Sequence, residues 1–349
     1  MKANLIVGLM LLVSVQAFAQ VKCYKYPGNP VFQAGKDGEW DENLFDFDII
    51  FENNEYHMWY LGLRKDSPNK SSFGFASSPD GIHWEKYEGN PLMFNSDSIG
   101  WGNNFGTFDI IRKDSMYLMW YSSDPADSKL TSCIGFAWST DGLTWYNHPE
   151  PVLTPGRGNA WDGNGVSNPN VIFDGQIYHM WFSGWAKRIP RTARIGYATS
   201  RDGINWKKYA ANPVISIGEP GTWDDHWVVG SNVAFNGSIF ELWYFGWNLV
   251  KFEIGLATSR DGISWKKSRE NPVLKTGGLG TWDAMLFGSK VLSHGPDYSL
   301  WYAGSNNVRV AYGYATTCLA EAENWRETII ETQQRVIRVQ VFNRLEYIN

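Results

Sequence analysis

Five copies of a unit of roughly sixty residues, each with three short apolar runs and most closed by a DG-x-x-W turn, predict an all-β chain: a five-bladed β-propeller with four-stranded antiparallel blades. The units align on Asn-Pro at Asn29, Asn90, Asn212 and Asn271, with Glu150 taking the Asn position in the remaining copy. Composition agrees. Among 349 residues, 43% are apolar and 16% aromatic, enough for a large core, and 35 Gly with 15 Pro suit a fold built on many turns. Radial repetition also protects the strand edges that an open sheet would expose.

Within the unit the elements follow in a fixed order. A Trp-Asp pair opens it at Trp40-Asp41, Trp161-Asp162, Trp223-Asp224 and Trp282-Asp283, with Trp101-Gly102 in the second copy. The first strand reads DIIF, DIIR, NVIF, NVAF or KVLS, the second HMWYLG, LMWYSS, HMWFSG, ELWYFG or SLWYAG, and the third FGFASS, IGFAWS, IGYATS, IGLATS or YGYATT. DG-x-x-W then turns the chain into the fourth: Gly allows a positive φ, Asp bonds nearby backbone, and Trp packs between blades. Fifteen of the nineteen tryptophans fall in three repeating columns, so scaffold accounts for them.

The last unit lacks the DG turn, whereas CYKYPGNP near the N-terminus aligns with WEKYEGNP of the first. The N-terminal segment is therefore expected to supply the missing fourth strand. That alignment sets Cys23 and Cys318 across a hairpin and predicts a disulfide between them in an oxidising compartment, with Cys133 a free buried thiol. The competing arrangement closes the blade with Trp325 and the C-terminal segment and leaves both cysteines reduced.

Residues 1–19 read as a signal peptide: Lys2, the apolar run LIVGLMLLVSV, then AFA before Gln20. The expected organisation is this signal, a propeller over 20–318 and a tail over 319–349, in a periplasmic or secreted protein. No later apolar stretch approaches the roughly 20 residues of a membrane span. A net charge of −5 and the absence of any Lys/Arg run argue against a nucleic-acid partner. No HExxH, paired CxxC, P-loop or GxSxG string occurs, so neither a metal nor a cofactor is expected.

Function is expected where a repeating column changes chemistry. At the mouth of the first strand one column reads Asp48, Asp109, Asn170, Asn232, Lys290, and the column two residues earlier Asp46, Thr107, Asn168, Gly230, Gly288. Residues two apart share a strand face, so both columns should line the central funnel. Of the four tryptophans outside the columns, Trp138 sits in a third strand, while Trp185, Trp227 and Trp247 fall at strand ends on the funnel's side. Those three are candidate platforms for a sugar ring.

On its five repeats and the string FDFDIIFENNEYHMWY, the chain resembles the five-bladed glycosidases of glycoside hydrolase families 43 and 32 over residues 21–318. The resemblance implies a carbohydrate substrate and catalytic carboxylates drawn from different blades. Asp46 falls in the column of family 43's catalytic aspartate, with Phe47 in place of proline, and Ser167 stands where the family's acid motif carries Glu. Hydrolysis needs two carboxyl groups, roughly 5 to 5.5 Å apart for retention or 6.5 to 9.5 Å for inversion. Asp46 or Asp48 is the expected base or nucleophile, and Asp109 the expected acid, its pKa raised by neighbouring carboxylates. The pair Asp225-His226 is the alternative acid. Glu253 could reach the funnel, and Lys290, Arg188 and Arg194 could bind hydroxyls or a sugar carboxylate. The reading is an exported glycoside hydrolase; its rival is a non-catalytic carbohydrate-binding propeller.

Overall fold

The computed structural model describes residues 21–94, 102–125, 132–187, 191–294, 297–316, 321–323 and 325, omitting the side chains of Pro68, Asn69, Met93, Phe94, Asn103, Asn104, Pro125 and Ser231. It is a five-bladed β-propeller. Blade 1 runs from its inner strand outward as Asn43–Glu52, Glu55–Arg64, Ser67–Ser78 and Glu85–Lys86. Blade 2 is Gly102–Lys113, Met116–Pro125, Cys133–Ser139 and Tyr146–Asn147; blade 3 is Gly165–Phe173, Tyr178–Trp185, Ala193–Ser200 and Trp206–Lys208. Blade 4 is Trp227–Phe235, Phe240–Trp247, Phe252–Ser259 and Lys266–Lys267. Blade 5 is Met285–His294, Asp297–Ser305 and Val310–Thr316, completed by Tyr24–Lys25. The inner strands touch in cyclic order, blade 5 against blade 1, so the ring closes.

Closure comes from the N-terminus. Tyr24 and Lys25 pair antiparallel with Thr316 and Ala315. Trp325 does not take the outer-strand position; its ring packs edge-on against Tyr26 and Tyr314, 5.1 and 5.8 Å away. Cys23 carries a free thiol whose pKa burial pushes up to about 12, and Cys318, its expected partner, lies outside the described residues. Cys133 is a free, buried thiol.

Each repeated residue type has a physical task. In the first blade's turn, Gly81 takes φ +73°, Asp80 accepts the backbone N–H groups of Ile82 and His83, and Trp84 donates to the Gly81 carbonyl. The tryptophan of the preceding blade's second strand seals the same turn: Trp301 donates to Gly81, Trp59 to Gly142, Trp120 to Gly203 and Trp181 to Gly262. These indoles are fully buried and form the interblade core. Trp243 faces the blade that has no DG turn, and its buried N–H has no partner among the described residues. The Asn of the Asn-Pro motif clamps the third strand: Asn90 accepts from Phe75 N–H and donates to the Phe75 carbonyl.

The Trp-Asp aspartates are interstrand latches. Asp41 pairs with Lys86, Asp162 with Lys208, Asp224 with Lys267 and Asp283 with Lys25, all at 2.5–2.6 Å. Blade 2 loses both partners together, having Gly102 and Asn147 in those positions. A carboxylate buried without its lysine would be costly, so the two columns change as a pair.

Every inner strand breaks its ladder at the same height. Phe45 and Asp46 face the gap between the Leu44 and Phe47 pairs, and corresponding irregularities occur at 106–107, 168–169, 231 and 288. A bulge at this point re-aims side chains, and five of them in a ring form the floor of the funnel.

Candidate active site

A cavity of about 390 Å³ sits over the bulge ring and draws its walls from all five blades. Asp46, Thr107, Asn168 and Gly288 form its floor. Ser122, Ser123, Asp124, Ser132 and Ser167 give it a hydroxyl-rich polar flank. Trp185, Trp227, Phe245, Phe252 and Phe287 form the aromatic side. Among its described lining residues there is no Lys, Arg or His.

Asp46 is the carboxylate at the floor. Its Oδ2 accepts the Phe108 N–H at 2.9 Å, and the Phe47 N–H also bonds the carboxyl, fixing its orientation. Burial pushes its pKa up to about 7; these two N–H groups pull it down, and the charges of Asp48 and Asp109 add to the rise. A group half protonated near neutrality is matched to general acid work. Its Oδ1 lies toward Gly288, where a Cβ would stand 3.6 Å from it. On blade 5 the floor position is a glycine, Gly288, which contributes no side chain there.

Asp48 and Asp109 do different work from the one the sequence suggested. They line a second, small cavity of about 20 Å³ that continues below the floor, where Lys290 bonds Asp48 at 2.7 Å and Asp109 at 3.3 Å. The column opposite the core tryptophans is a set of interblade tethers. Asp48 accepts Ile110 N–H, Asp109 accepts Val171 N–H and Asn232 accepts Val291 N–H. Burial pushes both carboxyls up while Lys290 pulls them down; the two carboxylates outweigh burial of the lysine and hold its pKa above the usual ammonium value. Asp109 is therefore committed to structure, not poised over the cavity as an acid. Lys290 is likewise occupied and does not face sugar hydroxyls. Asn170 donates to the Asn168 carbonyl at 3.3 Å and also lies below the floor.

The remaining expected site residues divide in the same way. Trp185 and Trp227 line the cavity as a corner, ring centroids 5.2 Å apart at 85°, with both N–H groups occupied, by Ser167 Oγ and by the Arg191 carbonyl. Their ring faces remain for apolar contact. Trp247 stands behind Trp227 at 4.3 Å and stacks on Phe252; it supports the wall without lining it. Asn168, at φ +49°, lines the floor and donates its backbone N–H to Thr107 Oγ1. Asp225 bonds His226 at 2.9 Å, and that bond holds its carboxyl below the usual range; neither residue lines the cavity. Glu253 is buried and Arg194 partly buried, both away from the cavity lining, and Arg188 lies outside the described residues.

Asp124 was overlooked. It lines the polar flank, and burial raises its pKa. The signal was present in the repeat: the residue after the W-[YF]-x-[GS] string reads Leu63, Asp124, Trp185, Trp247, Ser305, so one column supplies both a carboxylate and the tryptophans.

The family model described as β-1,4-mannooligosaccharide phosphorylase matches residues 111–291, which is 181 of the 349 residues. A Mycobacterium tuberculosis protein, Rv1502, is 25% identical over 58% of this chain and 67% of its own. Two Thermoanaerobacter proteins are also similar: a β-1,2-mannobiose phosphorylase, 25% identical over 44% of this chain, and a 1,2-β-oligomannan phosphorylase, 28% identical over 47%. The matches span 54% and 57% of those two phosphorylases. Among solved structures, a glycoside hydrolase superposes with TM-score 0.69 at 17% identity, covering 85% of this chain and 92% of its own. A thermostable family 43 glycoside hydrolase gives TM-score 0.61 at 17% identity, over 78% and 88%. These structural likenesses establish the fold. The family match falls to the mannooligosaccharide phosphorylases, and family 43 enters as a neighbour in fold.

Proposed function

Since the chain belongs to the β-1,4-mannooligosaccharide phosphorylase family, glycoside hydrolase family 130, we propose that it cleaves β-mannosidic bonds of a mannooligosaccharide, with Asp46 as the general acid. The observation that carries the reading is the placement of Asp46: a single oriented carboxyl, its pKa raised to about 7, at the floor of a cavity with one aromatic and one hydroxyl-rich side. Amphipathic cavities of this kind suit sugars, whose C–H faces lie on aromatic rings while their hydroxyls meet polar groups. In the reaction Asp46 protonates the departing glycosidic oxygen as an acceptor attacks the anomeric carbon. Trp185 and Trp227 hold the apolar face of the ring. Export follows from the signal-like residues 1–19, and the Cys23–Cys318 disulfide is proposed for the protein after export, to be checked by non-reducing mass spectrometry.

The acceptor distinguishes two chemistries, both represented around this chain: transfer to phosphate, as the relatives' names state, and hydrolysis, as for the family 130 hydrolases that target β-1,2-mannosidic linkages in Candida mannan, matched here with TM-score 0.66 at 15% identity. The test incubates the mature protein with β-1,2- and β-1,4-mannooligosaccharides, with and without phosphate, and measures mannose and mannose 1-phosphate. Release of either product, reduced roughly 10²- to 10⁴-fold in a folded Asp46→Asn variant, supports the reading. Glycan binding without release, unchanged by Asp46→Asn, would make this a binding propeller.

A further inference from the structure

We propose that Asp124 is the general base of this site and that the acceptor it activates is water, which makes the enzyme a hydrolase. The inference rests on the cleavage reading given above and adds a residue and an acceptor to it. Asp46 and Asp124 are the two carboxylates among the described cavity-lining residues, and they come from adjacent blades, one from a bulged inner strand and one from the end of a second strand. Cleavage by two carboxyl groups needs this arrangement, one group at the leaving oxygen and another at the attacking side. Asp124 stands beside Ser122, Ser123 and Ser132, so the polar flank offers hydroxyls able to hold a small neutral acceptor.

Among the described lining residues, charge favours water over phosphate. A phosphate at neutral pH would enter a cavity whose described lining carries two carboxylates and no cation, whereas phosphate sites draw on Lys, Arg or helix N-termini. Lys290, the cation nearest in sequence to the floor, is held below it by Asp48 and Asp109. Asp124 has no lysine or arginine counter-ion among the described salt bridges, and its partial desolvation beside the serines raises its pKa. In the step, a water oxygen forms a bond to the anomeric carbon as the glycosidic C–O bond breaks. One water proton passes to Asp124, and the proton of Asp46 passes to the departing oxygen. A single displacement of this kind on a β-mannoside releases α-mannose first.

The test compares the wild-type chain, Asp46→Asn and Asp124→Asn on a mannobiose that the wild type cleaves and on an aryl β-mannoside with an activated leaving group. Three results support the proposal: phosphate-independent release of α-mannose by the wild type, retention of aryl-mannoside cleavage by Asp46→Asn, and a loss of 10²-fold or more on both substrates by Asp124→Asn, with α-mannosyl azide formed when azide is added. Asp124 is exposed, so its variant should keep the wild-type melting temperature, which is measured alongside. Strictly phosphate-dependent cleavage that survives Asp124→Asn overturns this proposal and leaves the β-mannoside reading standing. Release of β-mannose first overturns the role as a base. A wild type that binds glycan but cleaves nothing overturns both.

Discussion

Replacing Lys290 with Met separates a structural from a catalytic role for Asp48 and Asp109. The lysine is buried, its side chain 12% exposed, and it bonds carboxylates at 2.7 and 3.3 Å that are themselves 2% and 5% exposed. Methionine keeps much of the stem and deletes the charge, leaving two carboxylates facing each other. The strained site escapes by binding a proton, which costs about 1.4 kcal/mol for each pH unit above the unfolded carboxyl value. With that value at 3.8, one proton costs at most about 4 kcal/mol at pH 7 and about 2 kcal/mol at pH 5, upper limits because burial already raises both carboxyls in the wild type. The first figure agrees with the roughly 3–5 kcal/mol typical of breaking a buried pair. The sign follows from linkage: in the variant the folded pKa lies above the unfolded one, so the penalty is absent below the unfolded value and grows as pH rises. Guanidinium unfolding of wild type and Lys290→Met at pH 5 and pH 7 reads both numbers. A loss below about 1 kcal/mol at pH 7, or one of equal size at the two pH values, would refute the assignment of this triad as a buried, charge-balanced tether.

Three further outcomes are expected. With Asp46 as the proposed acid, active in its protonated form, and its pKa raised to about 7, kcat/KM should fall tenfold per pH unit above neutrality; a flat profile from pH 6 to 9 would remove Asp46 as the acid. Trp181→Phe forfeits the bond to the Gly262 carbonyl, whereas Trp243→Phe forfeits an N–H that lacks a partner among the described residues, so the first should be the more destabilising by about 1–2 kcal/mol in parallel thermal melts. Gly288→Ala puts a side chain at φ +67° and 3.6 Å from Asp46 Oδ1, so activity should drop with a stability loss of about 1–2 kcal/mol, and an unchanged melting temperature would count against strain at the floor.

Read without coordinates, the residues give the scaffold well and the site in part. Gly81, Asp80 and Trp84 specify a local turn, and local turns repeated at a fixed period leave few ways to bury five sets of tryptophans. The column Asp48, Asp109, Asn170, Asn232, Lys290 is aligned correctly, since each member pairs across the blade with a core tryptophan. Its role is misread because alternation along a strand assumes an unbroken ladder. A bulge falls at 45–46, so Asp46 is aimed up into the cavity while Asp48, two residues on, meets Lys290 beneath it.

The sequence by itself determined the blade count and the closure by the N-terminal segment, because both depend on short-range patterns that recur and can be compared within one chain. Only the tertiary structure decided which carboxylates share a cavity. Asp46 and Asp124 are 78 positions apart and belong to different columns, and no periodicity links them. Their meeting depends on how two adjacent blades are rotated about the axis and on a bulge whose energy lies in contacts from the neighbouring inner strand.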